Sequence, residues 1–257
     1  MSRPTFLNFG VAFCLAAFLC ACETAPVTDR NQLILLPESQ ASELGVTAYQ
    51  EILAQSEISE DPTLNRRVTE VGQRIAKVSD DPGYDWEFTV LEDPTPNAFA
   101  LPGGKVGVNT GLFEVAKNDD QLAAVMAHEV AHAIARHGSE RMSSQLLVQG
   151  GLAATGVAAS SQTDDASSLV QLAAAAATLG VTLPFSRAQE AEADEIGLVY
   201  MARAGYDPRE AVALWQNFQS LENGRPPEFL STHPSSDTRI ARLRSLMPQA
   251  MAIYQGD

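Results

Sequence analysis

The stretch LAAVMAHEVAHAIARH, Leu122 to His137, carries the pattern H-E-x-x-H at His128 to His132 within a mostly apolar run that is typical of one buried helix. Side chains four positions apart lie on the same helical face, so His128 and His132 can offer two imidazoles to one metal ion. Glu129 then lies beside that ion, as the base that accepts a proton from water. A chance match on a surface helix is the alternative, and the apolar flanks argue against it. The motif predicts a hydrolytic site with one Zn²⁺ per chain.

A catalytic zinc ion normally takes three protein ligands, so the two histidines need a partner elsewhere in the chain. His137 follows the motif near a predicted helix end, where a capping imidazole is the simpler interpretation. The remaining candidates are His233 and the acidic segment SRAQEAEADEIG, residues 186–197. In that segment Glu190 and Asp194 share one helical face, so one carboxylate can bind the metal while the other accepts a hydrogen bond from a ligating imidazole. An exposed acidic helix face is the alternative, and composition alone slightly favours it.

Three motifs in order give the chain a family resemblance. They are HEVAHAIARH (128–137), SRAQEAEAD (186–194) and STHPSSDTRIARL (231–243). Together they resemble the gluzincin zinc metallopeptidases, the family of HtpX and the CAAX prenyl endopeptidase, and most closely the periplasmic lipoprotein branch of the BepA and LoiP type. The resemblance runs from about Val27 to the C-terminus and implies a zinc-dependent endopeptidase.

The resemblance also implies a role for individual residues. Glu190 is implied as the third metal ligand, with Asp194 in contact with a ligating histidine, whereas Glu192 is given no role. His233 is implied to approach the metal, either as a catalytic donor that stabilises the oxyanion or as a displaceable fourth ligand that keeps the resting enzyme closed. Arg239 either helps to hold the developing charge or anchors its loop.

The predicted fold class is α+β and mostly helical, a zincin-like metallopeptidase domain with a small β-sheet and hairpin packed on the HExxH helix. We expect the HExxH helix to begin at Asp119 or Asp120 and to end at His137. A strand over 86–91 precedes a hairpin with a Pro102-Gly103-Gly104 turn, and the strand at 97–100 is the expected edge for an extended substrate. Further helices are predicted at 38–55, 62–78, 186–204, 207–221 and from 234 onward.

The N-terminus predicts export and lipidation. All three cysteines fall within the first 22 residues, so the rest of the chain can form no disulfide and has no thiolate nucleophile. A short apolar stretch after Arg3 predicts a secretory signal. The sequence Leu19-Cys20-Ala21-Cys22 resembles a bacterial lipobox, which implies cleavage after Ala21 and acylation of Cys22. A plain signal peptide and an uncleaved anchor helix are the alternatives. Because Glu23 and not Asp follows, we expect the periplasmic face of the outer membrane.

The predicted domain organisation is a lipoprotein signal peptide at 1–21, a lipidated tether at 22–36 and a zinc metallopeptidase domain at 37–257. Residues 166–185 contain no charged side chain. Their apolar content is largely alanine, which favours a helix packed over the site above a membrane span.

Charge and motifs together bound the function. The formal net charge of −15 argues against nucleic acid as a partner, because phosphates would be repelled. The residues and the resemblance predict hydrolysis of peptide bonds in misfolded or stalled envelope proteins, with membrane contact through the lipid anchor. The alternative is a lipid-anchored chaperone or binding module that retains zinc, with latent activity blocked by His233. A structural lipoprotein with a chance HExxH is the third reading.

Overall fold

The structure is a computed structural model that describes residues 22–154, 185–221, 229, 233 and 237–256. This part of the chain contains seven α-helices and two small sheets, in agreement with the predicted α+β, mostly helical class. The helices are α1 (Glu38–Gln55), α2 (Pro62–Ala76), α3 (Asp119–Ile134), α4 (His137–Ala154), α5 (Arg187–Arg203), α6 (Arg209–Ser220) and α7 (Asp237–Gln255). The strands are β1 (Cys22–Thr24), β2 (Asn31–Leu33), β3 (Glu87–Leu91), β4 (Ala98–Leu101) and β5 (Lys105–Asn109).

The domain was predicted to start at Pro37, but packed structure begins upstream of that residue. β1 and β2 form an antiparallel hairpin, and Ala25 in its turn region is buried. The side-chain amide of Gln32 is also buried and donates to the carbonyl of Ala135 over 2.7 Å. The backbone amide of Leu35 donates to Ser143 Oγ over 2.8 Å. Polar side chains that suggested a solvated tether are therefore hydrogen-bonded to the domain.

The three-stranded sheet has the order β3-β5-β4 and contains the predicted hairpin. β4 pairs antiparallel with β5, with Ala98 opposite Val108, and β3 pairs parallel with β5. The turn needs its two glycines because Gly103 and Gly104 have φ of 81° and 82°, a region that other residues avoid. Among the strands of the described segments β4 pairs only with β5, so it forms an edge of the sheet, and it lies against α3.

The central helix α3 carries the H-E-x-x-H motif through the core. Its N-cap is Asn118, whose side chain accepts a hydrogen bond from the Gln121 amide over 2.8 Å. Every residue from Gln121 to Ile134 is buried. The helix ends at Ile134 and not at His137 as predicted, because Arg136 adopts a left-handed conformation with φ of 53° and His137 starts a new helix.

Close packing of α5 on α3 brings the acidic segment to the motif. Gly197 permits this approach, since a Cβ at that position would lie 3.1 Å from the His128 amide nitrogen. Ser186 caps α5 by accepting a hydrogen bond from the Gln189 amide. The signal peptide predicted at 1–21 and nearly all of the helix predicted at 166–185 lie outside the described residues. None of the helices that the structure describes is long and apolar enough to cross a bilayer.

Candidate metal centre

Four buried side chains from three parts of the chain converge on one point, and each can offer a metal ligand atom. His128 and His132 come from α3, Glu190 from the first turn of α5, and His233 from the segment before α7. The Nε2 atoms of the two α3 histidines lie 3.1 Å apart, and His128 Nε2 lies 3.2 Å from His233 Nδ1. Oε1 of Glu190 lies 3.3 Å from His132 Nε2 and 2.9 Å from His233 Nδ1.

These distances fit a small tetrahedral cation. Ligand atoms about 2.0–2.1 Å from a tetrahedral zinc ion are roughly 3.3 Å from one another, which matches the observed separations. Imidazole nitrogens and one carboxylate are also the ligand types that zinc prefers. Beside the group, Glu129 is buried and its Oε1 makes no hydrogen bond, so this oxygen has an unused acceptor position next to the ligand atoms. The side chains therefore fit one Zn²⁺ ion.

A buried ion pair orients the first of these histidines. His128 Nδ1 lies 3.1 Å from Oδ1 of Asp194, one helical turn beyond Glu190. Arg239 on α7 contacts the same carboxylate at 2.6 and 2.7 Å and Oε2 of Glu190 at 2.7 Å. Its guanidinium also lies 3.6 Å above the Trp215 ring. The role of Arg239 could not be predicted, because nothing in the sequence shows that α7 reaches the buried centre.

Burial and charge set the protonation of the three carboxyl groups. Burial raises the pKa of Glu129, against the opposing effect of His233 and His128. For Asp194 the burial penalty is outweighed by Arg239 and His128, so its pKa lies below the ordinary value. The pKa of Glu190 is also lowered, because three nearby imidazoles outweigh its burial. Glu190 and Asp194 are therefore carboxylates at neutral pH, as a ligand and a hydrogen-bond acceptor must be.

A second chain of contacts reaches the other α3 histidine and was not predicted. Nδ1 of His137 lies 2.8 Å from His132 Nδ1, and its Nε2 lies 2.9 Å from a carboxylate oxygen of Glu192. His137 was predicted to be a capping residue, and no role was predicted for Glu192. A continuous helix to His137 would point that ring elsewhere, and the left-handed turn at Arg136 brings it back to the centre.

An apolar cavity lies next to the centre. Its wall includes the end of β4, with Ala100 and Leu101, together with His132 and Phe185. The Phe185 ring stacks on the His132 ring with centroids 3.9 Å apart, and the Arg141 guanidinium lies 3.8 Å from the Phe185 centroid. No sequence pattern indicated this cavity, because its residues come from separate elements.

The structure thus brings six predicted site residues into one buried cluster. They are His128, Glu129, His132, Glu190, Asp194 and His233. The predicted lipidation residue Cys22 is the first residue of β1.

Comparison with known proteins relates this chain to a family of peptidases. The profile of Peptidase family M48 matches residues 62–247. The mitochondrial metalloendopeptidase OMA1 of Schizosaccharomyces pombe is 37% identical over 244 residues, covering 89% of this chain and 67% of that protein. The human metalloendopeptidase OMA1 is 33% identical over 262 residues, covering 96% of this chain and 50% of that protein. The beta-barrel assembly-enhancing protease of Escherichia coli is 29% identical over 235 residues, covering 89% of this chain and 48% of that protein. The chain therefore spans only part of each of these relatives.

Proposed function

This chain belongs to Peptidase family M48, a family of zinc-dependent metalloendopeptidases, and on that premise we propose that it hydrolyses peptide bonds in misfolded or stalled envelope proteins. His128, His132 and Glu190 are the proposed ligands of one Zn²⁺ ion. The observation that carries the proposal is the buried group of metal-binding side chains with the Glu129 carboxylate beside it.

The chain's own groups supply the remaining chemistry. When bound, zinc supplies Lewis acidity that polarises a carbonyl group and makes a water molecule more acidic. Glu129 accepts the proton of the attacking water at its carboxylate and donates it to the leaving amide nitrogen. Asp194, held by Arg239, accepts a hydrogen bond from His128 Nδ1, which leaves Nε2 without a proton and able to bind the ion.

Substrate binding is proposed at the sheet edge that β4 forms among the described strands. An extended peptide can add to such an edge through main-chain hydrogen bonds, which tolerate many side chains. The apolar cavity between β4 and the His132 ring can take one apolar side chain of that peptide. Both features suit a protease that acts on unfolded chains.

The decisive experiment compares the purified full-length chain with Glu129→Gln. Metal analysis should find one zinc ion per chain in both proteins, because Glu129 is not among the grouped ligand atoms. Cleavage of an unfolded protein such as casein should fall by roughly 10²–10⁴-fold in the variant, the usual contribution of a general base. Wild-type protein without stoichiometric zinc, or a variant with full activity, would contradict the proposal.

A latent enzyme that works as a chaperone is the second candidate, and the position of His233 favours it. Its Nδ1 lies within 3.2 Å of His128 Nε2 and completes the tetrahedral group, while its Nε2 lies 3.4 Å from Oε1 of Glu129. A Zn²⁺ ion held by His128, His132 and Glu190 would then have His233 as a fourth ligand, in place of water or substrate. An assembly phenotype that survives Glu129→Gln would support this candidate.

His233→Ala separates the two roles of this histidine. Faster cleavage than wild type, with unchanged zinc content, identifies His233 as a blocking ligand. Loss of cleavage, again with zinc retained, identifies it as the donor that stabilises the oxyanion.

The proposed location is the bacterial periplasm, with a lipid anchor on Cys22 that holds the protein at the outer membrane. The signal-like N-terminus supports this, as does the name of the E. coli relative, which refers to beta-barrel assembly. The OMA1 relatives are named as mitochondrial, so the location needs its own test. Mass spectrometry of the mature protein should find an N-terminal acylated Cys22, and an unmodified or uncleaved N-terminus would exclude the anchor.

A further inference from the structure

We propose that His137 and Glu192 are positioning residues that fix the ring and the proton of His132, so that His132 Nε2 presents a lone pair to the metal. This inference deepens the proposed function and rests on it. It gives a function to His137 and Glu192, which are not themselves members of the metal-binding group.

The contacts form one unbroken line from a carboxylate to the metal-facing nitrogen. Glu192 lies 2.9 Å from His137 Nε2, and His137 Nδ1 lies 2.8 Å from His132 Nδ1. The opposite nitrogen of His132, Nε2, faces Glu190 and His128. His137 is 0% exposed and Glu192 is 4% exposed, so bulk water does not replace either partner.

With both rings neutral and Glu192 ionised, one arrangement of protons satisfies this line. An ionised carboxylate can only accept hydrogen bonds, so His137 must carry its proton on Nε2. In the neutral ring His137 Nδ1 is then an acceptor, which requires His132 to carry its proton on Nδ1. The remaining nitrogen of His132 is left without a proton and can bind the ion. These contacts fix the proton of His132 on Nδ1, as the contact with Asp194 fixes the proton of His128. The difference is that one additional imidazole, His137, lies between the carboxylate and the ligand.

The N-terminal hairpin holds the carboxylate that starts this line. Arg30 donates from Nε to Glu192 over 2.7 Å, and Thr28 also donates to Glu192. The other end of the Arg30 guanidinium binds Glu140 at 2.7 and 2.9 Å. Glu140 therefore belongs to the same ion-pair network around Arg30 as Glu192. Among the described residues it makes no hydrogen bond to His137, so a change at Glu140 is a matched control for a change at Glu192.

The test separates a hydrogen-bond acceptor from an ion-pair partner. Glu192→Leu removes the acceptor, and zinc affinity measured by competition with a chromogenic chelator should fall on the order of tenfold or more. Glu192→Gln keeps an amide oxygen for His137 while the Thr28 hydroxyl can turn to accept from the amide nitrogen. It should keep most of the affinity although the charge is lost. Glu140→Leu should leave zinc affinity unchanged.

A spectroscopic measurement supports the same comparison. Cobalt(II) in the site should show altered visible absorption bands in Glu192→Leu and wild-type bands in Glu140→Leu, because only the first change frees the His132 ring. Wild-type affinity and bands in Glu192→Leu would overturn the inference. An equal loss of affinity in Glu140→Leu would also overturn it, since hairpin docking would then be the cause.

A second pair of variants keeps the test valid if Glu192→Leu does not fold. His137→Asn retains an oxygen near the Nδ1 position that can accept from His132, whereas His137→Leu does not. Weaker zinc binding in the leucine variant than in the asparagine variant is expected, and equal affinities would reject the inference. Wild-type protein that binds no zinc would instead reject the proposed function, so the two failures are distinguishable.

Discussion

Replacement of Arg239 by methionine should strongly destabilise the zinc-free protein. Arg239 is the cation that contacts Asp194 and Glu190 at 2.6–2.7 Å, and all three side chains are buried. Methionine has a similar length and keeps the contact with the Trp215 ring, so the change removes charge with little loss of volume. The two carboxylates then remain buried with less compensation.

Removal of one partner from a buried ion pair typically costs about 3–5 kcal/mol. We expect the lower part of that range here, because His128 still contacts Asp194. For a domain of this size 1 kcal/mol shifts the unfolding midpoint by roughly 2–4 °C, so a loss of about 3–4 kcal/mol should lower the midpoint by ~6–16 °C. With zinc bound the loss should be smaller, because the charge of the ion compensates Glu190.

The assay is thermal unfolding followed by circular dichroism, with chelator and with saturating zinc. Arg242→Met is the control, since Arg242 lies on the same helix and contacts Glu195 at 2.7 Å but is 44% exposed. Its loss should stay below ~1 kcal/mol, as for other solvated ion pairs. Equal losses in the two variants, or a zinc-free Arg239→Met protein as stable as wild type, would refute the reasoning.

Three further outcomes are expected. Gly197→Val should cost about 1–3 kcal/mol and weaken zinc binding, because the new side chain pushes α5 away from the His128 backbone, and urea titration with a zinc competition assay measures both. Chelation of the metal should lower the unfolding midpoint of wild type, since a ligand at a thousand times its Kd stabilises a protein by ~4 kcal/mol, and no shift would mean that zinc does not bind the folded chain. Burial raises the pKa of Tyr49 to about 12 in the folded protein. The protonated side chain therefore stabilises the fold fully below about pH 10, and this stabilisation is lost as the pH rises through 12. The free energy of unfolding of Tyr49→Phe, measured in urea, should depend less on pH in this range than that of wild type.

The sequence predicted those parts of the molecule that follow from local periodicity and capping. Helices α1 and α5, the turn at Gly103 and Gly104, and the family were confirmed, because each leaves a pattern within a short stretch of chain. The convergence of the proposed ligands was predictable in part for the same reason, as His128 and His132 are one helical turn apart, whereas Glu190 was singled out by the family resemblance.

The contacts that hold these ligands were not predictable in the same way. Arg239 reaches Asp194 only because α7 packs on α5, a long-range contact with no local pattern. Gln32 and Arg30 looked like residues of a solvated tether, yet hydrogen bonds across more than 100 positions draw them onto the domain. Their burial depends on partners that the sequence places far away.

The left-handed residue between α3 and α4, Arg136, determines where the His137 ring lies relative to His132. Arg136 adopts φ of 53° at a cost of roughly 1–2 kcal/mol for a residue other than glycine, and its guanidinium bonds to the Leu36 carbonyl at 2.8 Å and to the Glu38 carboxylate. One inserted residue at this corner would turn the start of α4 by roughly 100° and carry the His137 ring away from His132. Given the proposed role of His137, the insertion of a single codon would weaken zinc binding while every metal-binding side chain stayed unchanged.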